Sequence, residues 1–230
     1  MSRLVYIISA PSGSGKSTLV NELRKSVKHL DFSISYTTRN PRGSEQNGRE
    51  YFFVTREQFE TMIDRDEFLE HAEVFGNYYG TARKFLQEAQ ARGNDLLLDI
   101  DVQGERLIKR KLPEAISIFI LPPSRSELEK RLRRRSQAEG VNSDEVIQRR
   151  LNTASKEIAN YPNYDYILVN DDLEHSIDQL RAIVHYERGK RSGAAQDGDQ
   201  EWQSLRKLAE ECLQANVRPR LAPILASFAI

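Results

Sequence analysis

Short apolar runs alternate along the chain with stretches in which apolar residues recur every three or four positions. The runs LVYIIS (4–9), DLLLDID (95–101), ISIFIL (116–121) and YILVN (166–170) have the length and the aliphatic or β-branched content of strands buried on both faces. Each is followed by a helical pattern. After the first, Leu19, Val20, Leu23 and Val27 recur at helical spacing and form one apolar face. After the third, Ser126 and Glu129 stand three apart like a capping box and predict a helix running to about Gln137. Repeated β-α units predict an α/β fold.

A different texture fills the chain from about Asp31 to Gly93. FSISYTTR and REYFFV have alternating or aromatic strand character, EQNGRE is a turn signal, and VFGNYYGTA precedes a further helix ending near Gly93. This reads as an inserted, mostly β subdomain, with Phe52, Phe53 and Phe59 forming its small core. After about Gly189 the composition turns to GKRSGAAQDGDQ, a linker by content, followed by the helical pattern EWQSLRKLAEECLQ and an apolar end containing proline. This tail is expected to be an appendage. No internal repeats stand out.

Composition narrows the class. The chain has 230 residues, enough for one domain or one with an appendage, and it can bury a substantial core. A single cysteine, Cys212, excludes an internal disulfide and any cysteine-cluster metal site, and it fits a reducing cytosol. Four histidines, His29, His71, His175 and His185, lack ligand spacing. The 34 basic and 34 acidic residues balance, which argues against a nucleic-acid binder acting through overall charge. No apolar run of about 18 residues exists, and Met-Ser-Arg leads straight into a strand-like segment. A cytoplasmic protein with no membrane or nucleic-acid partner is therefore expected.

The most specific local signal is APSGSGKST, Ala10 to Thr18, set between a buried strand and a helix. Backbone N–H groups of such a loop turn toward an anion, and the helix N-terminus adds partial positive charge. Pro11, Ser12 and Ser14 complete the turn. Gly13 and Gly15 adopt conformations closed to other residues, Lys16 reaches the β- and γ-phosphates, and Ser17 ligates Mg²⁺. Ala10 replaces the first glycine of the strict pattern. Alanine is small, so the loop should still work if the φ angle there is negative.

The phosphate loop does not stand alone. SAPSGSGKST, SISYTTRNPRGSEQNGREYFFV, FLEHAEVFGNYYGT, LLLDIDVQG, FILPPS and YDYILVNDD follow in order, and together they resemble the guanylate kinase family from about Leu4 to about Lys190. The resemblance implies phosphoryl transfer from ATP to GMP, and to dGMP, with Mg²⁺. It also implies a parallel-sheet core (1–32, 94–124 and 160–190), a GMP-binding subdomain (33–93) and a helical lid (125–159), with 191–230 left as linker and helical appendage. Whether the chain is a monomer or a homo-oligomer stays open.

GMP offers a dianionic phosphate at one end and the N1–H and N2–H₂ donor edge of guanine at the other. Arg39 and Arg42 suit the phosphate through planar forks, and Tyr51 and Tyr79 through phenolic hydrogen bonds. By the resemblance, Glu70 is the guanine-reading carboxylate, with Ser35 and Thr81 donating toward O6. Adenine would leave Glu70 unpaired or repelled. Asp99 follows three aliphatic residues as a Walker B-like carboxylate would. It is assigned to the Mg²⁺ shell through water, while Asp101, on the same strand side by period two, orients the acceptor arginines or touches GMP. These two roles are open to exchange.

SRSELEKRLRRRSQAEGVNSDEVIQRRL has the character of a basic helix, a polar loop and a second helix. In this position it resembles the kinase lid, in which arginines neutralise the transferring phosphoryl group. Arg131, Arg135 and Arg150 match the family's ATP-contacting arginines, although Arg134 and Ser136 stand where G-R-G is common. Asn170 matches the adenine-side contact. No general base is required, because a phosphate with a second pKa near 6 is already largely dianionic at neutral pH. Two competing classes are a non-catalytic guanylate-kinase-like module that binds phosphopeptides and a P-loop kinase for another small phosphoacceptor. The first would have lost the ATP loop; the second would not need Glu70 with Ser35 and Thr81.

Overall fold

The computed structural model describes residues 3–74, 76–138, 143–193 and 199–230. Part of the polar lid loop (139–142) and part of the expected linker (194–198) lie outside the described residues. In chain order the elements are β1 (Val5–Ser9), α1 (Lys16–Ser26), β2 (Leu30–Ser33), β3 (Tyr36–Thr37), β4 (Phe52–Phe53), α2 (Arg56–Asp64), β5 (Phe68–Val74), β6 (Asn77–Ala82) and α3 (Arg83–Arg92). They continue with β7 (Asp95–Asp99), α4 (Val102–Lys111), β8 (Ile116–Leu121), α5 (Arg125–Ala138), α6 (Asp144–Ile158), β9 (Tyr166–Val169), α7 (Leu173–Ser192), α8 (Gln200–Glu211) and α9 (Gln214–Ser227).

Five strands form a sheet in the order β2-β7-β1-β8-β9, in which β1 and β2 run parallel to β7 and β8 runs parallel to β9. The four runs expected to be buried strands are β1, β7, β8 and β9. The fifth, β2, straddles the expected boundary between the core and the inserted subdomain: FSISYTTR divides, its first residues pairing with β7 and its later ones with the second sheet. That second sheet has the order β4-β3-β6-β5, with β3 parallel to β4 and antiparallel to β6.

The chain divides into two compact units, Met1–Ser9 with Lys28–Ser117, and Ala10–Val27 with Ile118–Ile230. In the first unit α3 and α4 cover part of the parallel sheet. Val5, Ile7, Leu96, Leu98, Ile108 and Leu69 share one core cluster there. The second sheet of this unit is held by rings. Phe59 stacks on Phe68 at 4.3 Å and on Tyr78 at 5.2 Å, while Tyr36 stacks on Phe52 at 4.8 Å. Phe59 is fully buried as expected of a core residue, but Phe52 and Phe53 are only partly so. Gly80, opposite Tyr36, leaves the space these rings use: a Cβ there would stand 2.8 Å from Phe68 and 3.0 Å from Phe59. Helix α2 has a capping box, Thr55 with Gln58, which the aromatic texture of this segment hides in the sequence.

In the second unit α1 packs on α7, α5 on α6, and the C-terminal helices on the rest. Helix α5 opens two residues earlier than predicted. Ser124, not Ser126, takes the Glu127 amide at 3.2 Å, so the partner three residues on is Glu127 rather than Glu129.

The tail also departs from the expectation. Gly189 does not open a linker: α7 continues to Ser192 and ends at Gly193, whose φ of 66° suits a C-cap. Gly189 lies where a Cβ would come within 2.2 Å of the Trp202 ring. Helices α8 and α9 are packed into the unit rather than trailing from it. The Ile167 amide donates to the Cys212 carbonyl at 2.7 Å, Leu213 bridges to Tyr166, and Val217, Leu221, Ile224 and Phe228 are buried. Among the described residues no helix is long and apolar enough to cross a membrane.

Candidate active site

The phosphate loop belongs to the second unit. Its geometry is set by backbone conformations that its sequence permits. Gly13 and Gly15 both have φ of 91°, a region that costs other residues heavily, and Gly15 is the N-cap of α1. The Ser14 amide closes a turn onto the Pro11 carbonyl at 3.1 Å. Ala10 is not among the positive-φ residues, so the condition under which alanine can stand there is met. Among the described residues no side chain caps α1, and helix N-termini are places where an anion can bind. Lys16 is the first residue of that helix, and Ser17 and Thr18 follow, exposed, in its first turn beside exposed Ser12.

Asn170, matched by the resemblance to the adenine-side contact, has its side-chain amide turned to the phosphate loop. It is 6% exposed, and its Nδ2 donates to the Ser14 carbonyl at 2.7 Å. Gly15 is pressed against the same amide, since a Cβ there would stand 2.2 Å from Nδ2. The Asn170 carbonyl accepts from Arg131 Nη2 at 3.1 Å, and Arg131 Nε donates to Glu127 at 3.1 Å. Arg150 donates from Nη1 to the buried Ser136 at 3.3 Å, so the serine that departs from the glycine pattern has a partner. Arg135 is exposed near the end of α5.

The acceptor-side residues belong to the first unit. Glu70 lies on β5 directly opposite Thr81 on β6, just past a register shift between Phe68 and Glu70. It is 5% exposed, and Thr81 Oγ1 donates to its Oε1 at 2.7 Å. Burial pushes the Glu70 carboxyl up to about 7; Asp101 adds to the rise, while Thr81 and Lys111 oppose it. Ser35 is buried, in the link between β2 and β3.

Arg39 is held by a residue that the sequence reading missed. Glu45 takes Nη2 on Oε1 at 3.1 Å and Nη1 on Oε2 at 3.0 Å, and its Oε2 also accepts the Arg42 amide at 2.8 Å. Burial works against the Arg39 charge, yet Glu45 and Tyr79 more than offset it and the pKa is raised. Burial pushes Glu45 the other way too, and the arginine fork outweighs it, holding the carboxyl below its ordinary value. Tyr51 meets Tyr79 edge to face at 6.0 Å, and the Arg39 guanidinium lies 5.4 Å from the Tyr51 ring and 5.7 Å from that of Phe53. Phe53 therefore lies beside the Arg39 guanidinium with Tyr51. Arg42 is exposed.

Asp99 is the last residue of β7 and half-buried. Asp101 does not share a strand face with it, because the strand has ended: Asp101 is the N-cap of α4, and its Oδ1 accepts the Gln103 amide at 3.1 Å and the Gly104 amide at 2.8 Å. Among the described residues no cluster of three His, Cys, Asp or Glu could hold a metal alone. An alcohol such as Ser17 and a carboxylate such as Asp99 are nonetheless hard oxygen donors of the kind Mg²⁺ takes together with water and substrate phosphates.

Comparison with known proteins identifies the family. The guanylate kinase family model matches residues 2–187. A guanylate kinase of Koribacter versatilis is 61% identical over 228 residues, covering 99% of this chain and 97% of the relative. That of Escherichia coli K12 is 49% identical over 197 residues, or 85% of this chain and 93% of the relative. The crystal structure of guanylate kinase from Anaplasma phagocytophilum superposes with a TM-score of 0.67 at 35% identity, covering 81% of this chain and 86% of that one. Matched by the family model over most of its length and by a relative from end to end, the chain belongs to the guanylate kinase family.

Proposed function

We propose that this protein transfers the γ-phosphoryl group of ATP to GMP, and to dGMP, giving ADP and GDP or dGDP. The observation that carries the reading is the buried Glu70 with Thr81 on its Oε1, in a chain 61% identical to a protein named guanylate kinase. An ionised Glu70 accepts from N1–H and N2–H₂ of guanine. Adenine lacks both donors, and leaving a buried carboxylate unpaired can cost a competitor roughly 10⁴-fold or more.

Arg39, Arg42, Tyr51 and Tyr79 bind the acceptor phosphate, with Ser35 donating toward O6; Thr81, expected to donate there too, spends its one hydroxyl proton on Glu70 Oε1 and so orients that carboxylate instead. The loop from Ala10 to Thr18 cradles the donor phosphates, Lys16 neutralises the β- and γ-phosphates, and Asn170 braces the loop. A phosphate oxygen of GMP attacks the γ-phosphorus as the bond to the β–γ bridging oxygen breaks, and ADP departs with that electron pair. The nucleophile is already anionic, so no side chain need remove a proton. Arg131, Arg135 and Arg150 stabilise the charge on the equatorial oxygens. Ser17, and Asp99 through water, would hold Mg²⁺, which when bound supplies charge neutralisation across the β- and γ-phosphates.

The kinase names of the relatives and the intact phosphate loop favour the transferase over the phosphopeptide-binding module. The buried thiol of Cys212, pushed up to about 12 by desolvation, fits a cytoplasmic enzyme that makes no use of it. A coupled ADP-release assay with GMP, dGMP, AMP, CMP and UMP as acceptors tests the assignment. Turnover is expected with GMP and dGMP; turnover with another acceptor but none with GMP would overturn it.

A further inference from the structure

The register shift that aims Glu70 leaves Leu69 without a partner residue in the β5–β6 ladder, which passes from Phe68 opposite Ala82 to Glu70 opposite Thr81. A skipped residue of this kind bends the strand and re-aims its neighbours. The Leu69 carbonyl accepts from Lys111 Nζ at 2.6 Å, so the last residue of α4 supplies a donor behind the bulge. The first turn of the same helix, at Gly104, comes close to the Glu70 carboxylate. A methyl group added at Gly104 would stand 3.2 Å from Glu70 Oε2 and 3.3 Å from Cβ and Cδ1 of Ile100, inside the ~3.5–4.0 Å of an optimal contact. Ile100 is buried in the core, so it gives little. Between these two points Ile108 and Leu69 share the core cluster, and Asp101 caps the helix, which keeps α4 rigid along its length.

We infer that Gly104 and Lys111 are positioning residues for guanine selection: α4 holds the bulge behind Glu70 through Lys111 and leaves, at Gly104, the space in which its carboxylate stands. The inference rests on the reading of Glu70 as the guanine-binding carboxylate. A displaced carboxylate can still meet N1–H but loses its second bond, to the 2-amino group. Discrimination between GMP and inosine monophosphate, which has N1–H and O6 but no 2-amino group, therefore reads the position of Glu70 directly.

The test compares Gly104→Ala, Lys111→Met, Lys111→Arg and Glu70→Gln with the parent, measuring kcat and KM for GMP, inosine monophosphate and ATP, with circular dichroism melting beside them. Gly104→Ala should raise KM for GMP about tenfold, the scale of one hydrogen bond to a charged group, and leave KM for ATP within about twofold. The preference for GMP over inosine monophosphate should narrow. Lys111→Met should act in the same direction less strongly, and Lys111→Arg, which keeps a donor, should restore the parent values. If Glu70→Gln narrows that preference while Gly104→Ala and Lys111→Met do not, the positioning role is wrong. If Glu70→Gln itself leaves the preference unchanged, the reading of Glu70 falls and the positioning role with it. A uniform loss with all three substrates and a lowered melting temperature would make α4 merely structural and also overturn the inference.

Discussion

The Asn170 side chain donates to the Ser14 carbonyl at 2.7 Å across 156 residues of sequence, tying the end of β9 to the middle of the phosphate loop. Both groups are buried, so the bond has no easy substitute in water. Asn170→Ala leaves that carbonyl unpaired, at a cost of ~1–3 kcal/mol, and frees a loop whose function depends on fixed amides. KM for ATP should rise and kcat should fall, while KM for GMP changes much less. An unaltered KM for ATP would show that the loop keeps its shape without the brace.

The raised pKa of Glu70 predicts how acceptor use depends on pH. Only the ionised carboxylate accepts both guanine donors, so kcat/KM for GMP should climb as pH rises through about 7. The GMP phosphate titrates near 6, and Glu70→Gln separates the two effects, since only the phosphate titration then remains. For folding the sign is opposite. The folded protein keeps a proton, up to about pH 7, that the unfolded chain loses near 4.5, so Glu70 makes stability fall between those values and level off above them. Burial, together with Thr81 on β6, Asp101 at the N-cap of α4 and Lys111 at its end, sets this titration. Melting temperatures of parent and variant from pH 4.5 to 8 check it.

Glu45 grips both arms of Arg39 and orders the Arg42 backbone. Glu45→Ala should loosen both acceptor arginines and raise KM for GMP roughly tenfold with little effect on KM for ATP, the loss expected from one charge-assisted interaction. A lowered KM for GMP would instead make Glu45 a competitor of the acceptor phosphate.

Removing residues 199–230 should destabilise the second unit. It strips the Ile167 amide of its carbonyl partner and uncovers what Val217, Leu221, Ile224 and Phe228 bury. At ~1.5–3 kcal/mol for each large apolar side chain, the loss is on the order of 5 kcal/mol or more. At ~2–4 °C per kcal/mol, a fall in melting temperature of about 10 °C or more is expected by calorimetry.

What could be read from the sequence follows how local each cause is. β1, β7, β8 and β9 are legible because both faces are buried, which leaves a continuous apolar signature. β2 is an edge strand of mixed exposure, Leu-Asp-Phe-Ser, and carries no such mark. The phosphate loop depends on conformations within a few residues, so its glycines announce it. Asn170 and Glu45 do not announce themselves, because their roles depend on partners brought by folding. A carboxylate three residues after Arg42, in a loop with little else to bind, was the only hint of Glu45. The α9 helix was hidden by Pro219 and Pro223, each of which removes a backbone donor that a helix would use. Ser126 mimicked a cap that Ser124 provides, an ambiguity of two residues that only the hydrogen bond resolves.

The bare start of α1 makes nucleotide occupancy and conformational stability one quantity. α2, α4, α6, α7 and α8 each spend a side chain on their leading amides, whereas α1, α3 and α9 have no side-chain cap, and of these three α1 is the one entered through a positive-φ glycine loop. A ligand that completes the helix stabilises the folded chain by RT ln(1 + [L]/Kd), ~2.7 kcal/mol at a hundredfold excess over Kd. Triphosphate bound at the start of α1 should therefore tighten the fold as well as supply the reaction, which a melting temperature rising with ATP concentration would register.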